Sequence, residues 1–270
     1  MIRYIKTFTV VAVLMLSALL PSCDEYNTDV MGTAFYPANS LVSQFIYPVY
    51  VEYGGGNVSV WGPNKDLVST TSDGARLTVT TLSDSIALII YGNAEGDTIT
   101  PLHGQLHVMA DNDFAMYLNG LRLHSEQGPA IDVESDPDRT CYIVVGHKSD
   151  NVLTDSTDPG RGFGCIHVDG ALYFDGTGTI SVTSQSADAI YAAGGLVCNY
   201  ALTANLTSLL ADAIHTSGNE VRLLKGTWKV YPGRFPVNTE GAPAYLGEEA
   251  KLYINDSLFV IPEEPADSIN

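Results

Sequence analysis

From about Val49 onward the chain alternates apolar and polar residues over short runs, as in Asn57-Val-Ser-Val-Trp61 and Arg76-Leu-Thr-Val-Thr80. A period of two sends successive side chains to opposite faces, which predicts short strands, here separated by turns rich in Gly and Asp. Hardly any stretch keeps a helical period for three turns, so the predicted class is all-β.

The alternating runs recur. Gly128-Pro-Ala-Ile-Asp-Val-Glu134 aligns with Gly164-Cys-Ile-His-Val-Asp-Gly170, Asp188-Ala-Ile-Tyr-Ala-Ala-Gly194, Asp212-Ala-Ile-His-Thr-Ser-Gly218 and Phe235-Pro-Val-Asn-Thr-Glu-Gly241. The aliphatic anchors Ile131, Ile166, Ile190, Ile214 and Val237 are spaced by 35, 24, 24 and 23 residues. A period near 24, built from short strands and Gly turns, predicts a right-handed, single-stranded parallel β-helix with three strands per coil. Each coil must stack on the next, about 4.8 Å away, because it cannot bury its apolar face alone. Alternation places the anchors, Leu172, Phe174, Leu196 and Cys198 inside. It sets Ile180 and Val182 over Ala204 and Leu206, and these over Trp228 and Val230, so large and small residues alternate as a filled core requires. Segment 49–88 is expected to form an N-terminal β cap, 89–261 the β-helix, and 262–270 an acidic tail.

Charge narrows the partners. The chain carries 13 basic and 31 acidic residues, a net charge of −18. Such a surface repels nucleic-acid phosphates and anionic lipid headgroups. Residues 1–22 read as a secretion signal: Arg3 and Lys6, an apolar run from Phe8 to Leu20, then Leu-Pro-Ser-Cys ending at Cys23. That ending resembles a bacterial lipobox, which makes Cys23 the lipid anchor of an outer-membrane lipoprotein, at the cell surface or on the periplasmic face. An ordinary cleaved signal with a free Cys23 is the other reading. Removing the signal takes away two basic groups and no acid, so eleven basic groups face 31 acids, a net of −20. Residues 23–48 are expected to be a tether. Cys141, Cys165 and Cys198 are an odd set without metal-site spacing, which predicts buried, unpaired thiols.

The stretch Tyr117-Leu-Asn-Gly-Leu-Arg-Leu-His-Ser-Glu-Gln-Gly-Pro-Ala-Ile131, then Asn151-Val-Leu-Thr-Asp155, then the Asp-Ala-Ile-Tyr/His coils, resembles a bacterial family of surface carbohydrate-binding β-helix modules. The resemblance runs from about Tyr91 to Tyr231. It implies a fold like that of polysaccharide lyases, binding of cellulose-like or pectic acidic polysaccharide, and calcium.

Candidate chemistry falls on the outward column one residue after each anchor: Asp132, His167, Tyr191, His215 and Asn238. Rings stacked at coil spacing offer sugar C–H faces a flat strip while polar neighbours bond to hydroxyls; a plain side-chain ladder on a solvent face is the competing reading. Asp188 and Asp212, one coil apart, suit calcium together with a loop acid such as Asp169, since calcium takes six to eight oxygen ligands. Equally, each acid can cap its own turn by accepting backbone N–H bonds. Arg222, Lys225, Lys229 and Arg234 are expected to share a face in part, with Arg222 and Lys225 able to pair with uronate carboxylates. His103 and His107, four apart without a helix, make a poor metal pair. Three functions follow from these residues: a lipid-anchored carbohydrate-binding protein, a calcium-dependent lyase or hydrolase of pectic polymers, or a non-catalytic structural or adhesive surface protein. No acid–base pair or triad is identifiable by spacing.

Overall fold

The computed structural model describes residues 41–93, 102–157 and 163–260. The signal at 1–22, Cys23, most of the expected tether and the tail at 262–270 lie outside the described residues. No α-helix occurs among the described residues; two short 3-10 turns, Leu41–Gln44 and Lys65–Leu67, accompany the strands.

Parallel strands stack into the coils of a β-helix whose surface divides into three faces. The first face, called the ladder face below, carries Arg76–Thr81, Gln105–Ala110, Ile131–Ser135, Gly164–Val168, Asp188–Ala192, Ile214–His215 and Val237–Asn238, each parallel to the next. The second face includes Tyr47–Gly54, Ile86–Asn93, Thr140–Val145, Ala171–Gly176 and Leu196–Cys198, and the third Asp150–Asp155, Thr179–Ser184 and Thr203–Ser208. These two faces form one continuous sheet because the long strands Phe114–Ser125, Val221–Tyr231 and Ala244–Ile254 turn the corner between them.

Register explains why the sequence closes this way. On the ladder face the anchors stand opposite one another as Leu77, Leu106, Ile131, Ile166, Ile190, Ile214 and Val237. The second face contributes the inward column Val49, Leu88, Met116, Ile143, Phe174, Cys198, Leu223 and Leu246. The third contributes Asn151, Ile180, Ala204, Trp228 and Leu252. Ala204 leaves room for the Trp228 indole above it, and that ring meets Phe174 edge-on at 5.9 Å. Cys198 occupies the slot that Phe174 fills in the preceding coil, and the three thiols among the described residues are buried and unpaired; burial pushes the Cys198 thiol up to about 12. The corner between the second and third faces needs a left-handed residue close to its neighbour. Gly176 has φ +95°, and a Cβ there would lie 2.1 Å from the Val145 carbonyl oxygen, so only glycine fits.

Two expected boundaries shift. Segment 49–88 is mostly coil and not cap: Tyr47–Gly54 and Ile86–Asn93 pair in parallel with each other and then with Phe114–Ser125, and Arg76–Thr81 begins the ladder face. Capping is confined to Asn57–Trp61 and Val68–Asp73, which run antiparallel to the outermost coil strands. The spacings in this part, 29 residues from Leu77 to Leu106 and 25 on to Ile131, depart from 24 and obscure the repeat. The tether gives way to packed structure by residue 42, because Val42 and Phe45 are buried and Phe45 rests on the Tyr142 ring of the second face at 5.2 Å. At the other end, Ser257–Phe259 folds back antiparallel on Leu252–Ile254 and covers part of the last strand's open edge, which blunts strand addition there.

Candidate functional site

The outward positions following the anchors line up as Thr78, His107, Asp132, His167, Tyr191, His215 and Asn238, in direct register. Parallel pairing at a constant register makes neighbouring side chains meet face to face or by hydrogen bond. The His167 and Tyr191 rings stack at 5.4 Å and 28°. Tyr191 meets His215 edge-on at 5.2 Å and 87°, and its hydroxyl lies 2.8 Å from Ser217 Oγ. Phe163, 63% exposed, leans over both His167 and Tyr191 at 6.2 and 5.3 Å. Phe163 was not among the expected site residues; it precedes the strand and has no counterpart at the matching positions Ala187, Ala211 and Arg234, so no repeat pattern singles it out.

Acids of one coil hold the ladder residues of the next. His167 Nδ1 lies 2.8 Å from Asp132 Oδ1, and its Nε2 lies 3.4 Å from Asp169. His215 Nδ1 lies 2.7 Å from Asp188 Oδ2, and its Nε2 lies 3.4 Å from Glu240. Asn238 Nδ2 donates to Asp212 Oδ2 at 2.7 Å. His107, further along, stands 3.4 Å from Glu134 and 3.9 Å from Asp132. His167 and His215 are thus each set between two carboxylates, one at each ring nitrogen, which orients the ring plane, whereas both carboxylates near His107 face its Nε2. Glu134, Asp169, Ser217 and Glu240 form the flank of the strip, and Glu240 is its most exposed acid among these carboxylate partners.

Asp188, Asp212 and His215 bring their ligand atoms within 4.8 Å of one another, so the expectation of calcium is tested on this cluster. Asp188 Oδ1 accepts the Asp212 backbone N–H at 2.8 Å, and its Oδ2 faces His215. Asp212 Oδ1 accepts the Phe235 N–H at 3.0 Å, with the Arg234 guanidinium 3.8 Å away, and its Oδ2 takes Asn238. Both acids are buried, at 5% and 1% exposure. Every carboxylate oxygen already faces a protein donor, and the third group is an imidazole nitrogen, so the set does not fit a cation that demands six or more oxygens. Asp169 belongs to another coil, beside His167. Burial pushes the Asp188 carboxyl above the usual carboxylate range, against the opposing pull of the Asp212 N–H and His215. The two acids serve as turn caps that reach across coils.

The basic residues do not gather on this strip. Arg222 stands on the second face, stacked over the Tyr245 ring at 5.0 Å with its Nε 3.0 Å from Glu220. Lys225, at the corner, pairs with Glu249 at 3.2 Å, and Lys229 lies on the third face. Only Arg234 comes near the ladder. A calcium-dependent lyase would need its calcium ligands beside a basic residue, but Asp188 and Asp212 lie on the ladder side and Arg222 and Lys225 on the second face and its corner. The surface near Tyr191 offers rings, hydroxyls, imidazoles and carboxylates, a set suited to sugar C–H faces and hydroxyl groups. His103 and His107 separate as well: His103 sits beside His124 and Glu126, away from the ladder.

Residues 95–244, which contain the whole strip from His107 to Asn238, match a family model described as carbohydrate-binding domain-containing protein. No curated protein and no solved structure matches the chain.

Proposed function

The chain belongs to the family of carbohydrate-binding domain-containing proteins, and on that premise we propose that it holds a neutral, plant-type polysaccharide along the ladder face, on Phe163, Tyr191 and His215, with the buried His167 supporting Tyr191 from behind. The observation that carries this reading is the Tyr191 ring, flanked within 5.2–5.4 Å by Phe163, His167 and His215. Coils about 4.8 Å apart offer successive pyranose rings one planar group each when the glycan runs along the helix axis. The carboxylates of Asp169 and Glu240 accept hydrogen bonds from sugar hydroxyls and repel uronates, and among the described residues no cationic cluster offsets them, so the reading favours neutral over acidic polymers. Binding by this route needs no calcium. Cys23 anchors the chain to the outer membrane in this reading, as a lipoprotein that presents its β-helix to glycan.

The test is retention of the full chain on microcrystalline cellulose and insoluble arabinoxylan, against polygalacturonate, with and without chelator. The expected result is retention on a neutral polymer that chelator leaves unchanged and that Tyr191→Ala lowers by about tenfold, the effect of roughly 1.4 kcal/mol of lost ring contact. Retention on polygalacturonate alone, or its loss on chelation, would overturn the reading.

A further inference from the structure

The second face carries a column of its own. Its outward positions Ala87, Ala115, Tyr142, Tyr173, Val197, Arg222 and Tyr245 stand in register, one per coil. The Tyr142 and Tyr173 rings are 5.4 Å apart. The protein's own Phe45 lies against Tyr142, the third position of this column, and is buried there. Along the rest of the column, among the described residues, Tyr173 and Val197 are half-exposed, and Arg222 and Tyr245 are exposed. Arg222 extends the run of flat surfaces, because Glu220 braces its guanidinium while the plane lies over Tyr245.

We propose that Tyr173, Val197, Arg222 and Tyr245 form a second glycan-binding strip, which takes a neutral pyranose chain along the axis on a face distinct from the ladder. The chemistry that identifies the occupant is on the surface itself. One planar or apolar group per coil matches rings presented in series, and the seat already taken by Phe45 shows that the column accepts a flat, apolar partner. Charge disfavours a uronate polymer, since Arg222 is matched by Glu220 and Lys225 by Glu249, so neither of these two cations is free to receive a carboxylate. Aromatic platforms lose little conformational entropy on binding because each ring has only two torsions to fix. With both strips occupied, one molecule holds two glycan chains, or two stretches of one, and gains avidity without any new contact. The proposal rests on membership in the carbohydrate-binding family and not on the ladder reading.

Calorimetric titration of the full chain with cellohexaose and with xylohexaose separates the two strips. The wild type should bind two equivalents of one of these oligosaccharides. Tyr191→Ala should remove one equivalent, and Arg222→Ala combined with Tyr245→Ala should weaken the other at least tenfold. Both of the latter side chains are exposed, so circular dichroism should show an unchanged fold. A single equivalent lost with Tyr191→Ala alone would overturn the second strip and leave the ladder reading standing. A single equivalent lost only with the Arg222/Tyr245 variant would support the second strip and overturn the ladder reading. Absence of binding to both oligosaccharides by a folded wild-type chain would overturn both.

Discussion

Asn151 is the polar residue whose removal should cost the β-helix most. It occupies an interior column otherwise filled by Ile180, Ala204, Trp228 and Leu252, and it is fully buried. Its Oδ1 accepts the N–H groups of Gly120 and Leu121, both at 2.9 Å, where Phe114–Ser125 bends round the corner. Its Nδ2 donates to Ser149 Oγ at 2.9 Å and to the Thr179 carbonyl at 3.1 Å in the next coil. Asn151→Ala strands the buried Leu121 N–H and leaves the Gly120 N–H partly so, at about 1–3 kcal/mol for each unsatisfied donor. The sum is about 2–5 kcal/mol, and with a urea slope of about 2–3 kcal/mol/M the midpoint should fall by about 1–2 M. Trp228 lies in the same column and reports the transition by fluorescence in a Trp61→Phe background. N151D keeps both acceptor bonds but sets a carboxylate against Ser149 Oγ and the Thr179 carbonyl. It should be destabilised at neutral pH and recover partly in acid, when a proton restores a donor. A midpoint shift below about 0.3 M for Asn151→Ala would refute the account of this residue as the clamp at the bend.

Gly176→Ala should lower stability by at least about 2 kcal/mol, because the new Cβ would press on the Val145 carbonyl at 2.1 Å as well as strain a positive φ. Gly120→Ala, with φ +80° and open space around it, should cost only about 1–2 kcal/mol, and equal costs in urea unfolding would refute the steric part. Burial raises the Asp188 carboxyl in the folded chain, so the native state holds its proton more tightly and loses stability as pH rises through that raised value. In Asp188→Asn this loss should vanish, so the difference in thermal midpoint between variant and wild type should grow in the variant's favour as pH rises through the weakly acidic range. A constant difference from pH 4 to 7 would refute it. Cys23→Ser should shift the protein from the membrane fraction to the soluble fraction in fractionated cells; unchanged membrane association would remove the lipid anchor.

Where the repeat is regular, the sequence shows both topology and register. The five anchors found by alignment stand opposite one another, and the columns beginning at Leu172 and at Ile180 meet the partners expected of them. The first coils escape notice because their turns vary in length, so Leu77 and Leu106 fall off the period although their side chains serve as anchors. The basic residues are misplaced for a different reason. Arg222, Lys225, Lys229 and Arg234 are close in sequence, yet each coil turns through three faces within about 24 residues, so thirteen positions carry them around half the circumference. Phe163 is invisible to alignment because the position it fills is variable. The ladder itself is legible, since alternation alone decides that His167, Tyr191 and His215 share one face.

The acidic character of the chain takes its meaning from which coil each acid serves. Asp188 and Asp212 at repeat spacing read equally well as a pair of metal ligands or as turn caps, because both uses place a carboxylate at the same point of a coil. The difference lies in the partner. Asp188 accepts the N–H of Asp212, twenty-four residues on, and Asp212 accepts that of Phe235 one coil later. Each acid also grips the ladder residue of the coil that follows it, His215 or Asn238. Asp132 does the same for His167 from its own ladder position. A side chain already held by a neighbouring coil loses little freedom when a ligand arrives, and this preorganisation favours affinity without added contact area. The acids that first suggested a divalent cation thus act as braces: they couple successive coils and fix the rings that a sugar would meet.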